Sequence, residues 1–231
     1  MTAKTVYVLR TCNADLTSYN GFRWPASGRV TAPDWKPTND CGNGLHGLLW
    51  GEGHGGHLSP DADARWLVIG VAEDSLIDLI GKVKFPKGEV VFCGDREDAI
   101  ADIIQRGADP SKVCYNRVHA GHYGTATAGP GGTATAGDHS TATAGHHSTA
   151  TAGHYGTATA GDFGTATAGE CGTATAGYRG TATAGKGGEI RIRWFDYDKS
   201  RYRAAYGYVG EDGIKPNTPY VVQDGKLVEK E

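Results

Sequence analysis

Residues 121–152 read GHYGTATAGPGGTATAGDHSTATAGHHSTATA, and the same eight-residue pattern, x-x-(G/S)-T-A-T-A-G, runs without insertion through eight copies between Gly121 and Gly188. Self-similarity at a fixed period dictates the architecture before any local propensity is consulted. Within TATA an extended chain sends both threonines to one face and both alanines to the other. The flanks say which face is inside. In NRVHAG, just before the array, the alanine slots hold Val118 and Ala120 and the threonine slots Arg117 and His119; in GEIRIR, just after it, the alanine slots hold Ile190 and Ile192 and the threonine slots Glu189 and Arg191. Apolar residues keep the alanine phase at both ends, so alanine points in and threonine out.

Eight residues at about 3.3 Å each are too few to travel out and back around a core. Two octapeptides per coil of about 16 residues is the simplest closure, with three per turn, a triangular prism, as the alternative. The expected fold is therefore mainly β: a β-solenoid flanked by a small α+β N-terminal domain and a short β-rich C-terminal cap. The expected boundaries are 1–112, 113–193 and 194–231. With two copies per coil, one corner stacks His122, Asp138, His154, Glu170 and Lys186, alternating cationic and anionic groups, beside a ring column of Tyr123, His139 and Tyr155. The opposite corner, with Pro130, His146, Asp162 and Tyr178 beside Gly131, His147, Phe163 and Arg179, carries no comparable order.

The first 112 residues have an ordinary globular composition. TVYVLR and RWLVIGVA predict strands, KVKFPKGEVVF a hairpin-like pair around Pro86, Lys87 and Gly88, and GDREDAIADIIQRG a helix with Asp95 as N-cap and Gly107 as stop. Lys and Arg number 23 against 26 Asp and Glu, a balance that gives no bulk attraction to nucleic acid or anionic membrane. Five irregularly spaced cysteines argue against a disulfide framework and for a reducing compartment. The start MTAKTVYVLRTC has no long apolar run after its basic residue, which predicts a cytoplasmic protein, or one exported without a cleaved signal.

The pattern A-G-x-x-(G/S)-T-A-T over residues 121–188 resembles the tandem repeats of bacterial ice-nucleation proteins and, more loosely, the Thr-x-Thr arrays of insect antifreeze solenoids. The resemblance implies two flat binding faces. Thr125, Thr127, Thr141, Thr143, Thr157, Thr159, Thr173 and Thr175 make one; Thr133, Thr135, Thr149, Thr151, Thr165, Thr167, Thr181 and Thr183 make the other. CGNGLHG, at 41–47, resembles a stretch in uncharacterised bacterial and phage domains that precede such repeats.

Three functions follow as expectations. The first is a non-enzymatic repeat scaffold that presents its threonine faces and the Tyr123, His139 and Tyr155 corner for self-assembly, as dimer or filament, or for partner docking. The second is ice binding through the threonine faces. The third is a small enzyme or metal-binding sensor in the N-terminal domain, where Cys41, His46, His54 and His57 are candidate zinc ligands because thiolate and imidazole suit that ion. No cofactor is otherwise expected. Calcium of the repeat-bound kind needs an aspartate in every copy, and only Asp138 and Asp162 occupy corners. No Ser-His-Asp spacing, phosphate loop or catalytic carboxylate pair stands out.

Overall fold

The computed structural model describes residues 4–231; residues 1–3, the beginning of the MTAKTVYVLRTC stretch, lie outside the described residues. The chain forms two compact units that divide between Cys114 and Tyr115. Among the described residues no helix is long and apolar enough to cross a membrane, and none of the five cysteines is in a disulfide.

The first unit is a seven-stranded antiparallel sheet built from β1 (Thr5–Cys12), β2 (Gly28–Thr31), β3 (Leu45–Leu49), β4 (Arg65–Ala72), β5 (Ile77–Asp78), β6 (Val83–Phe85) and β7 (Lys87–Gly94), in the order β2-β7-β4-β1-β3-β6-β5. In β4, an interior strand, the consecutive residues Trp66, Leu67, Val68 and Ile69 are all buried, so both of its faces are covered. Helix α1 (Arg96–Gln105) packs Ala99, Ile100 and Ile103 inward. Its cap is the expected one: the Asp95 carboxylate accepts the Asp98 amide at 3.0 Å, and Gly107 leaves the helix at φ +115°. The hairpin expected around Pro86 does not form. β6 pairs with β3 and β5, whereas β7 pairs with β2 and β4. Both runs are strands, but their apolar faces are satisfied by different neighbours, and the Pro86 carbonyl is taken by the Ala32 amide at 2.8 Å.

The second unit is the solenoid. Its strands are β8 (Arg117–Ala120), β9 (Thr125–Ala128), β10 (Thr133–Ala136), β11 (Thr141–Ala144), β12 (Thr149–Ala152), β13 (Thr157–Ala160), β14 (Thr165–Ala168), β15 (Thr173–Ala176), β16 (Thr181–Ala184) and β17 (Glu189–Asp196), followed by β18 (Arg201–Tyr208), β19 (Tyr220–Gln223) and β20 (Lys226–Glu229). Even-numbered strands β8 to β16 stack in parallel in one sheet and odd-numbered β9 to β17 in the other. Partners are 16 residues apart in register, Thr141 against Thr125 and Thr157, Ala142 against Ala126 and Ala158. Two octapeptides per coil is therefore the closure adopted, not three.

Every array alanine is at most 4% exposed, which fixes the inward phase deduced from the flanks. At the C-terminal end Ile190 and Ile192 continue the core in the same slots, and Val209 and Tyr220 close over it. β18 pairs antiparallel on β17, and β19 antiparallel on β16 through Ala182 and Tyr220, so strand direction reverses where stacking ends. The last parallel edges are thereby covered by the chain itself.

An alanine interior contributes one methyl per slot, so the coils rely on a hydrogen-bond ladder that does not stop at the corners. The Tyr123 amide donates to Asp138 O (3.0 Å), His139 to His154 O (2.7 Å) and Tyr155 to Glu170 O (2.9 Å), each 15 residues ahead in the next coil. Where a copy has Ser in place of Gly, the hydroxyl turns inward: Ser148 Oγ, 3% exposed, lies 3.2 Å from Gly129 O and 3.0 Å from His146 O. Removing a buried hydroxyl that ties carbonyls costs about 1 kcal/mol. Ser148→Ala is expected to lower stability by about that amount in a denaturant melt, and an unchanged midpoint would show that the tie carries no net energy.

Candidate functional site

The threonines form two faces as the strand phase requires. Neighbours are separated by about 7 Å along each strand and about 4.8 Å between strands. On the face of β9, β11, β13 and β15, Thr125, Thr141 and Thr157 are exposed and the other five are half-buried. The opposite face is less open. Only Thr149 is exposed there, and Thr181, placed on that face from the sequence, is buried at 7% exposure with its hydroxyl accepting from Lys230 Nζ at 3.2 Å. Arg117 and His119 precede the first threonine row of one face, and Glu189 and Arg191 follow the last row of the other. Each face is thus four threonine strands deep, bounded by charge at one end.

The corners hold these faces in register. The second corner residue is left-handed in copy after copy: Tyr123, His139, His147, Tyr155, Phe163, Cys171 and Arg179 have φ between 51° and 58°. Side-chain-bearing residues occupy this region at a penalty, offset here by the amide ladder and by stacking. Tyr123 and His139 rings lie parallel at 5.2 Å, His139 and Tyr155 at 5.0 Å, as the column read from the sequence requires. His122 Nδ1 is 3.7 Å from Asp138 and His154 Nδ1 is 3.8 Å from Glu170, so the alternating column brings its partners together.

The opposite corner is ordered too, contrary to the sequence expectation. His147 stacks on Phe163 at 4.9 Å, Arg179 lies over the other side of that ring series at 5.8 Å, and Phe163 meets Tyr178 edge-on at 6.0 Å. Mixed ring and guanidinium partners stack as well as like ones do, a compatibility that residue names in a column conceal. Asp162 anchors this corner. Its carboxylate accepts the Tyr178 amide at 2.7 Å and a two-pronged contact from Arg193 at 2.7 and 3.0 Å.

Burial opposes the charged form of Asp162, but the Tyr178 amide and the Arg193 guanidinium outweigh it and hold the carboxyl below the ordinary 3.8. A depressed carboxyl stabilises the fold fully above its unfolded value and loses that contribution as pH falls through its folded one. Acid titration of the melting temperature should therefore be steeper below pH about 4 for the parent chain than for Asp162→Asn; parallel curves would remove Asp162 from the acid response.

The proposed zinc ligands do not assemble. Among the described residues no group of three or more His, Cys, Asp or Glu side chains is placed to hold a metal. Cys41 Sγ receives Lys82 Nζ at 3.1 Å, His46 Nε2 accepts the Gly42 amide at 3.4 Å, and only His54 and His57 face each other, with ring centroids 5.2 Å apart. The His-x-x-His spacing spans the 3-10 turn Gly55–His57 and its cap His54, which carries His57 round toward His54, while Cys41 lies in the preceding loop and His46 on β3.

An ice nucleation protein of Pseudomonas syringae is 48% identical to this chain over 113 residues, 48% of the chain and 10% of that protein. One from Xanthomonas campestris pv. translucens is 44% identical over 102 residues, 43% of the chain and 6% of that protein, and ice nucleation protein InaU of Pantoea ananas is 42% identical over 106 residues. The chain is similar to ice nucleation proteins. It spans a tenth or less of the length of these relatives, and the β-solenoid with its repeated Thr-x-Thr strands is consistent with ice-nucleation-type repeats. The sequence model of one family, described as a domain of unknown function (DUF7666), matches residues 6–106. No solved structure matches.

Proposed function

We propose that the chain binds ice through its threonine faces, with the face of β9, β11, β13 and β15 as the principal surface. The observation that carries this reading is the exact i, i+16 repetition of paired threonines over four strands. It sets hydroxyls and methyls on a fixed two-dimensional grid, in which each hydroxyl anchors a water and each methyl limits where the next water sits. Similarity to ice nucleation proteins supports it. Four threonine strands per face make a small template, suited to adsorbing on ice and altering its growth. The test is direct: a fluorescently labelled chain on a growing single ice crystal should accumulate on its surface, and a chain swept entirely into the liquid would overturn the proposal.

Self-association is the second reading, favoured by Tyr123 and Tyr155, which are 78% and 61% exposed at the ends of a flat three-ring stack. Sedimentation across concentration, with Tyr123→Ser and Tyr155→Ser as the comparison, tests it: a parent chain that stays monomeric would set this reading aside.

A further inference from the structure

The first unit contains two cations withdrawn from solvent, half-buried Arg10 and fully buried Lys84, that no carboxylate among the described residues compensates. Arg10, on the central strand β1, donates through Nη1 to the His46 carbonyl at 2.8 Å and lays its guanidinium 4.4 Å from the Trp24 ring centre, while its Nε is buried with no hydrogen-bond partner. Lys84, on β6, is fully buried; its Nζ donates to the Asp40 carbonyl at 2.8 Å and sits 5.7 Å from the Trp35 ring. Neither cation forms an ion pair among the described residues. Isolated buried charge is expensive, and such groups are ordinarily paired or neutralised. Burial pulls Arg10 down to about 10, still protonated at neutral pH.

Arg10, but not Lys84, lines a cavity of about 560 Å³ whose walls also include Phe22, Trp24, Asn43, Leu45 and His46. Its volume lies in the range of small-molecule sites, about 300–1,000 Å³. Asp34 is the one acid in the wall, and it is engaged by Asn43 Nδ2 at 3.2 Å. His46 supplies no compensating charge and no competing cation: burial, then Lys82, Arg10 and Lys84, hold it down to about 4, so it is neutral. The loop beside the cavity packs closely: a side chain at Gly44 would meet Lys84 Cγ at 2.8 Å and Trp35 at 2.9 Å. The result is a pocket with aromatic residues and a cation without an ion-pair partner in its wall.

We propose that this pocket binds a small organic anion, a carboxylate or phosphate monoester carried on a flat apolar frame, with Arg10, seated on the buried Trp24 ring, taking the anionic group and Phe22 and the exposed Tyr19 ring the frame. Charge-assisted bonding to a guanidinium is the strong recognition element and the aromatic walls add area. The site is independent of the threonine faces and of the ice reading.

The test uses the full chain labelled with 15N, titrated to about 50 mM with benzoate, phenyl phosphate, inorganic phosphate and the neutral isostere benzamide; millimolar affinity is what ligands of this size reach. The probes are the Arg10 Nε–H signal and the Trp24 indole N–H, which donates to Ser18 Oγ at 3.1 Å. Benzoate and phenyl phosphate should shift both signals saturably, with inorganic phosphate at least about tenfold weaker and benzamide without effect. Arg10→Met should lose the response; if that variant does not fold, the contrast between benzoate and benzamide on the parent chain decides. No saturable shift from either organic anion, or an equal response to benzamide, overturns the proposal.

Discussion

Replacing Thr141, Thr143, Thr157 and Thr159 together by lysine is expected to abolish accumulation on ice while leaving the coils folded. These four sit in the middle two strands of the more open face, with their alanine neighbours fully or almost fully buried, so the change alters the surface and not the interior. Surface substitutions of this kind on a strand change stability by about 0.5 kcal/mol each. Four lysines nonetheless replace a flat grid by long, mobile, strongly hydrated chains that repel one another at a spacing of about 4.8 Å. Retention on a growing ice crystal should fall to background, with an unchanged β-type circular dichroism spectrum. Undiminished retention would exclude this face as the ice-contacting surface. The same four changes transplanted to Thr149, Thr151, Thr165 and Thr167 should have a smaller effect, since that face is less exposed and is closed at one end by Lys230 over Thr181.

Gly169→Ala is expected to destabilise the array strongly. A methyl there would lie 2.7 Å from the Gly153 carbonyl carbon and 2.8 Å from both Gly153 O and His154 N. These are backbone atoms of the coil beneath, so no rotamer change relieves the contact, and the amide of Gly169 is itself bonded to Ala152 O at 3.0 Å. Overpacking against fixed backbone costs about 3 kcal/mol, which for a unit of this size lowers the melting temperature by about 10 °C or more. Gly121→Ala is the matched control. It occupies the same slot at the start of the array, where an added methyl meets nothing within 4 Å, and should shift stability by no more than about 0.5 kcal/mol. Equal effects at the two positions would show that coil stacking does not set the requirement for glycine.

That contrast also marks how far the repeat could be interpreted before any coordinates. The inward phase of alanine was deducible from Val118, Ala120, Ile190 and Ile192, because replacement by larger apolar residues at the ends betrays the buried slot. Sixteen residues per coil followed from chain length and from the charge column His122, Asp138, His154 and Glu170. The reason for the corner glycine was not deducible. A glycine there suggests a bend, yet the left-handed residue lies two positions further on and is usually not glycine, as Tyr123, His139 and Phe163 demonstrate. Sequence gives the identity of each corner residue but not which backbone it rests on.

Long-range contacts account for the other differences. Thr181 matches its fellows in every local respect and is covered where β19 pairs on β16 and Lys230, 49 residues later, reaches its hydroxyl. β6 and β7 carry strong strand signals on either side of Pro86, but which strands they join is settled by the whole sheet. The significance of Arg10 comes from Trp24, His46 and a buried Nε, and from the lack, among the described residues, of an acid paired with it. An arginine in a strand sequence announces charge, and only the surroundings tell whether that charge is answered.

The likeness of successive octapeptides has a bearing on how such a chain changes length. Because TATA strands alternate between two sheets of the same composition, any strand can serve on either side, and the core does not count whether copies are odd or even. Only the corner columns keep that parity, through pairs such as Asp162 with Tyr178 and His147 with Phe163. Gain or loss of one octapeptide through misaligned copying of its gene would rotate everything downstream by half a coil and exchange corner partners, yet leave each alanine against alanine. A pair of octapeptides would restore the corners as well and lengthen each threonine face by one row. The array therefore behaves as a ruler graduated in half-coils, with finer marks written in the side chains of its edges than in its interior.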